Sequence, residues 1–77
     1  MGLDIEVNLI KITSSNIEAV GYAEEFGLVI QYKSGIYIYP GATREVYDEL
    51  LAAQSKGKYV ASNIKGKYIY RKIAFAK

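Results

Sequence analysis

The sequence predicts an α+β domain: an antiparallel sheet of about five strands with one main helix packed across it. Three observations carry that prediction. Apolar and polar residues alternate at period two near both ends of the chain, and short apolar runs bounded by turn residues lie between. A single stretch near residues 43–56 switches to helical spacing. Gly, Ser and Asn gather where those segments must turn. Seventy-seven residues hold one core and one domain, 1–77, and 51% apolar content with a single proline favours folding over disorder.

Leu3, Ile5, Val7 and Leu9 alternate with Asp4, Glu6 and Asn8, which predicts a half-buried strand over residues 2–10. Apolar parity shifts at Leu9–Ile10, so a bulge or bend is expected there. Thr13-Ser14-Ser15-Asn16 has turn chemistry, Ile17–Tyr22 reads as a second strand, and Ala23–Gly27 as a turn closing on glycine. Leu28–Tyr32 and Ile36–Tyr39 make a hairpin through Lys33-Ser34-Gly35, with Gly35 able to take positive φ. Pro40 and Gly41 end the sheet run. Thr43 is placed as an N-cap, and Glu45, Asp48 and Glu49 lie near the positive end of the helix dipole. Val46, Tyr47, Leu50, Leu51 and Ala53 share one face of that helix. Lys56 in the last turn and Gly57 at C′ close it, giving a helix over 43–56. Ala61–Ile64 reads as a turn or single helical turn, and Tyr68–Phe75 as the last strand.

A domain this size buries only about 60–65% of its unfolded surface, and such scaffolds usually need a staple. With no Cys and no His, neither a disulfide nor the usual structural zinc is available, so self-association is the expected source of extra buried area. No apolar run is long enough for a membrane span, and the first residues lack the layout of a signal peptide. The expected location is the cytoplasm. The chemistry is expected to be non-enzymatic, because the imidazole base and thiolate nucleophile are both missing. Glu24-Glu25 reads as solvated surface, Ser14-Ser15 has no partner base, and Gly57-Lys58 does not sit in a phosphate-loop frame. No cofactor or metal is expected.

Charge is segregated along the chain. Residues 1–49 carry all eight carboxylates and three cations, a net of −5, whereas residues 50–77 carry seven cations and no acid, a net of +7. An all-basic segment interleaved with aromatics is the composition that phosphate-bearing, aromatic ligands select. Ser55-Lys56-Gly57-Lys58 and Lys65-Gly66-Lys67 each set a glycine between cations, so that backbone N–H groups can approach a phosphate. Arg71 offers a bidentate fork. The plainer reading is a solvated basic rim answering the acidic half of the chain. Of the eight tyrosines, Tyr22, Tyr32 and Tyr47 occupy expected core positions; Tyr37, Tyr39, Tyr59, Tyr68 and Tyr70 are candidates for stacking on a base. Asn16 and Asn63 could read a base edge, with a turn role the simpler one for Asn16. The candidate ligand site is therefore Lys56, Lys58, Tyr59, Asn63, Lys65, Lys67, Tyr68 and Arg71.

Three blocks in order and spacing carry a family resemblance. They are Ser14-Ser15-Asn16-Ile17 with Val20-Gly21-Tyr22; Leu28, Ser34-Gly35 and Tyr37/Tyr39; and Val46-Tyr47, Leu50-Leu51, Ser55, Gly57, Tyr59, Ile64-Lys65 and Tyr68. Over about residues 12–72 the chain resembles the KTSC domain, named for the C-terminal extension of some lysyl-tRNA synthetases. Two positions depart from that pattern. Thr43 stands where the family has a helix-opening proline, and Val60-Ala61 stand where it tends to have Phe-Asn, leaving Asn63 as the nearest substitute. Such domains occur alone in bacterial and phage proteins and appended to synthetases, a context that implies RNA binding and no established catalysis. The strand at 2–10 extends beyond the usual domain start. The combined expectation is a homo-oligomeric protein that captures a small nucleotide, in the manner of a phage sponge hiding a host immune signal. An RNA-binding module and a protein–protein interaction module are the alternatives.

Overall fold

The computed structural model describes residues 8–75. Five strands, β1 (Ile10–Lys11), β2 (Ile17–Ala23), β3 (Gly27–Tyr32), β4 (Gly35–Tyr39) and β5 (Arg71–Phe75), form one antiparallel sheet in sequence order. Two helices, α1 (Arg44–Ala52) and α2 (Lys56–Asn63), sit between β4 and β5 in the chain and pack on one face. The α+β class and the five-stranded sheet are those the periodicity predicts. Most of the strand expected at 2–10 lies outside the described residues; β1 is short and pairs Ile10 with Val20. Two register shifts occur among the described residues, with Glu18 the extra residue on β2 and Ile73 on β5. Neither is at Leu9–Ile10. The last strand begins at Arg71 rather than Tyr68, because Tyr68 packs against the core instead of joining the sheet.

Local chemistry sets the turns. Lys33 and Ser34 alone separate β3 from β4, and neither has positive φ; Gly35 takes the reversal at φ +151°. Gly27 opens β3 at φ +78°, where a Cβ would collide with the Tyr39 carbonyl oxygen and Pro40 Cα.

The predicted helix over 43–56 is two helices. Ala53 leaves α1 in extended conformation, its N–H bonded to the Leu50 carbonyl at 3.2 Å. Ser55 then caps α2, its hydroxyl accepting from the Lys58 N–H at 3.4 Å. Lys56 and Gly57 open a second helix rather than closing the first. Gly57 allows close approach, since a Cβ there would stand 3.0 Å from the Ser14 hydroxyl oxygen. Val60 and Ile64, four residues apart, supply the buried stripe that makes the 61–64 segment a true helical end. Thr43 occupies the α1 N-cap position, yet its side chain makes no capping bond.

The core lies between helices and sheet. Leu28, Ile30 and Val20 from the strands meet Leu50 of α1, with Val60 and Ile64 of α2 and its end. Full burial of each such side chain stabilises by about 1.5–3 kcal/mol relative to exposure. Tyr47 is buried and Tyr22 partly so, their rings 6.1 Å apart, which is the packing role expected of both. No helix among the described residues is long and apolar enough to cross a membrane.

Candidate functional site

Strand register gathers tyrosines on the helix-bearing face. Leu28 pairs with Tyr39 and Ile30 with Tyr37, so Tyr37 and Tyr39 share a face with Leu28, Ile30 and Tyr32. Tyr70, just before β5, adds its ring at 5.3 Å from Tyr37 and 6.1 Å from Tyr39. Tyr32 meets Tyr37 edge-on at 5.2 Å. These four rings line an open cleft of about 580 Å³.

Two turns complete its walls. At the end of α2 the Ile64 and Lys65 amides both bond to the Val60 carbonyl at 2.9 Å, and Gly66 follows at φ +78°. That left-handed turn carries Lys65 and Gly66 to the cleft. Asn16, Lys33 and Ser34 complete the lining. The Lys33 N–H bonds to the Asn16 carbonyl at 3.3 Å, which ties the hairpin to the preceding turn. The Lys65 ammonium lies 5.1 Å from the Tyr32 ring centroid, within cation–π range.

In the wall, the Tyr32 and Tyr39 hydroxyls share a buried hydrogen bond of 2.7 Å. Burial raises both phenols above the ordinary tyrosine value, and for Tyr32 the bond to Tyr39 adds to a large shift.

Of the eight residues assigned to the site from sequence, Lys65 alone lines the cleft. Lys56 turns back to donate to the Ala53 carbonyl at 3.1 Å. Lys58 and Lys67 are exposed, one on α2 and one on the turn beyond it. Tyr59 donates to the Glu49 carboxylate at 2.6 Å, tying α2 to α1, and that bond is the main cause of its rise to about 12. Asn63 donates to the Tyr59 carbonyl at 3.3 Å, back along its own helix. Tyr68 packs on the core, its ring next to Gly41. Arg71 pairs in register with Ile38, which puts it on the sheet face away from the helices. Lys72 shares the cleft's face, its ammonium 5.6 Å from the Tyr37 ring.

The basic run thus fans out, and the cleft takes one cation from each charge half, Lys33 and Lys65. Counting charge along the chain hides Lys33, which is an isolated cation in the acidic half. Tyr32 takes the core position expected of it and is also part of the cleft wall. The signal for the aromatic wall was present in the Tyr32, Tyr37 and Tyr39 spacing once the hairpin register is written out.

Comparison with known proteins agrees with this architecture. The family model for the KTSC domain matches residues 13–68. A protein of Tsukamurella paurometabola is 40% identical over 60 residues, which span 74% of this chain and 88% of that protein. The crystal structure of a KTSC domain protein from Yersinia pestis superposes with a TM-score of 0.81 at 33% identity, covering 88% of this chain and 99% of that one.

Proposed function

We propose, for a chain that belongs to the KTSC domain family, that the tyrosine cleft captures a small phosphate-bearing nucleotide without turning it over. One observation carries this reading: aromatic walls and two lysines converge on a single concavity of about 580 Å³. That volume lies within the range of small-ligand pockets, which is roughly 300–1,000 Å³. Lys65 and Lys33 supply charge for a phosphate, and the Gly66 turn exposes backbone beside them. Tyr70, an exposed ring on the cleft wall, is the candidate to stack on a base, the sequence-tolerant part of such binding. Asn16 stands at the rim to read a base edge or ribose hydroxyl. With neither His nor Cys in the chain, capture in the cytoplasm by a stoichiometric sponge fits the available side chains better than catalysis.

A second reading, RNA binding, draws on the exposed Lys58, Lys67 and Arg71 outside the cleft. A phosphate track across the surface would engage them; a nucleotide in the cleft would not.

Calorimetric titration with a panel of mono- and dinucleotides tests the proposal. Lys65→Ala is expected to weaken binding at least tenfold, while Lys58→Ala leaves it within twofold. A shallow salt dependence belongs to the small ligand, and a slope of many phosphates to RNA. Unchanged affinity in Lys65→Ala overturns the cleft assignment.

A further inference from the structure

We infer that the Tyr32–Tyr39 phenol pair is a hydrogen-bond donor that reads an anionic oxygen of the ligand, so that the cleft selects phosphorylated over unphosphorylated nucleosides. This rests on the cleft being a ligand site, and it goes further by assigning the group that recognises the ligand's charged end. The argument is one of counting. Two phenols own two O–H hydrogens, and the 2.7 Å bond between them uses one. Among the described residues neither hydroxyl has a second hydrogen-bond partner. One hydrogen is therefore left over, on whichever tyrosine accepts the shared bond. Both side chains are at least nine-tenths buried, and both line the cleft. Leaving such a hydrogen without an acceptor is costly, and the cleft is where a ligand oxygen could take it.

Charge decides which kind of oxygen. The Lys65 ammonium stands over the Tyr32 ring at 5.1 Å, so an acceptor beside this pair sits in a positive field. Among the described residues no carboxylate lines the cleft: Glu49 is held by Tyr59, Asp48 by Arg44 at 3.5 Å, and Glu18 by Gln31 at 3.4 Å. Because burial keeps the pair protonated, it donates throughout the physiological range. A phosphate oxygen combines the needed lone pair with the favoured charge. The shared bond also relays: when one hydroxyl donates to the ligand, it is itself polarised by the other.

The test compares AMP with adenosine by calorimetry on wild type, Tyr32→Phe, Tyr39→Phe and the double variant. Wild type is expected to bind AMP at least tenfold more tightly than adenosine. Each single variant keeps one hydroxyl, now released from the shared bond and able to donate, so its preference stays within a few fold of wild type. The double variant should lose about tenfold in AMP affinity, as for a hydrogen bond to a charged group, with adenosine affinity retained. A double variant that keeps the wild-type preference overturns the inference while leaving the cleft assignment standing. Wild type binding neither compound overturns both. Should the double variant fail to fold, proton NMR of the wild type decides: a protected phenolic proton moves downfield with AMP and not with adenosine. No such movement overturns the proposal.

Discussion

Gly27 and Gly66 both hold φ +78°, a region where a Cβ costs about 1–2 kcal/mol, yet their surroundings differ. At Gly66 a Cβ meets nothing within 4 Å. At Gly27 it would strike the backbone of Tyr39 and Pro40, which cannot rotate away. Gly66→Ala is therefore expected to cost about 1 kcal/mol and Gly27→Ala at least twice that by urea denaturation, or to prevent folding. Equal losses would show that φ alone governs both sites. Tyr59 makes a different residue-scale prediction. Its phenol is pushed up to about 12 by the Glu49 carboxylate, whereas an unfolded tyrosine ionises near 10. Between those values the unfolded chain has released the proton and the folded chain has not. Stability contributed by this group is thus complete below pH 10 and is lost as pH rises to about 12. Denaturation measured across that window should show a decline that is shallower in Tyr59→Phe. It will not vanish, because the raised Tyr32 and Tyr39 phenols act in the same direction.

At the scale of elements, the interruption between α1 and α2 separates two kinds of capping position. Ser55 makes the side-chain bond of an N-cap, at 3.4 Å, and Thr43 makes none. Ser55→Ala should cost about 1 kcal/mol and Thr43→Ala a few tenths, read from chemical denaturation midpoints. The reverse order would mean that the cap bond is not what sets α2. The same junction shows what was legible in the chain. The β2–β3–β4 meander could be read because short apolar runs such as Leu28–Ile30 and Ile36–Tyr39 are bounded by turns with their own residue chemistry. The junction at Ala53–Ser55 could not, because Ser55-Lys56-Gly57 serves equally as a helix start or a helix stop. Only burial of Val60 and Ile64 together distinguishes them. The cleft was half legible for a related reason. Tyr37, Tyr39, Tyr70 and Asn16 carry suitable chemistry by type, but their convergence with Lys33 and Lys65 depends on strand register and on the Gly66 turn. The basic run was misleading in the opposite way. Lys56 and Tyr59 spend their polar atoms on Ala53 and Glu49, contacts that charge counting cannot see.

For the molecule as a whole, small size and charge segregation point to association with further copies. A chain of 77 residues without disulfide or zinc ligands has little core to spare. Two surfaces compete as the interface. Among the described residues β5 ends the sheet, and Ile69 and Tyr70 just before it are 86% and 59% exposed, which gives that edge apolar flanks. Pairing β5 with its own copy, however, would bring the exposed Arg71 of both chains close, and like charges at close range oppose it. The alternative sets the acidic residues of one copy, such as Glu24, Glu25 and Glu45, against the basic residues of the next, including Lys58 and Lys67. Those side chains are exposed and of opposite sign, which favours that contact. The two modes answer salt with opposite signs. Screening length falls from about 10 Å at 0.1 M to about 3 Å at 1 M, which weakens acid–base contacts and relieves repulsion at the β5 edge. Sedimentation equilibrium at micromolar concentration should therefore give a mass above 8.6 kDa in low salt that declines toward the monomer as salt rises. An 8.6 kDa species at low salt that grows with added salt would move the interface to β5, and a monomer in both conditions would leave the thin core to stand alone.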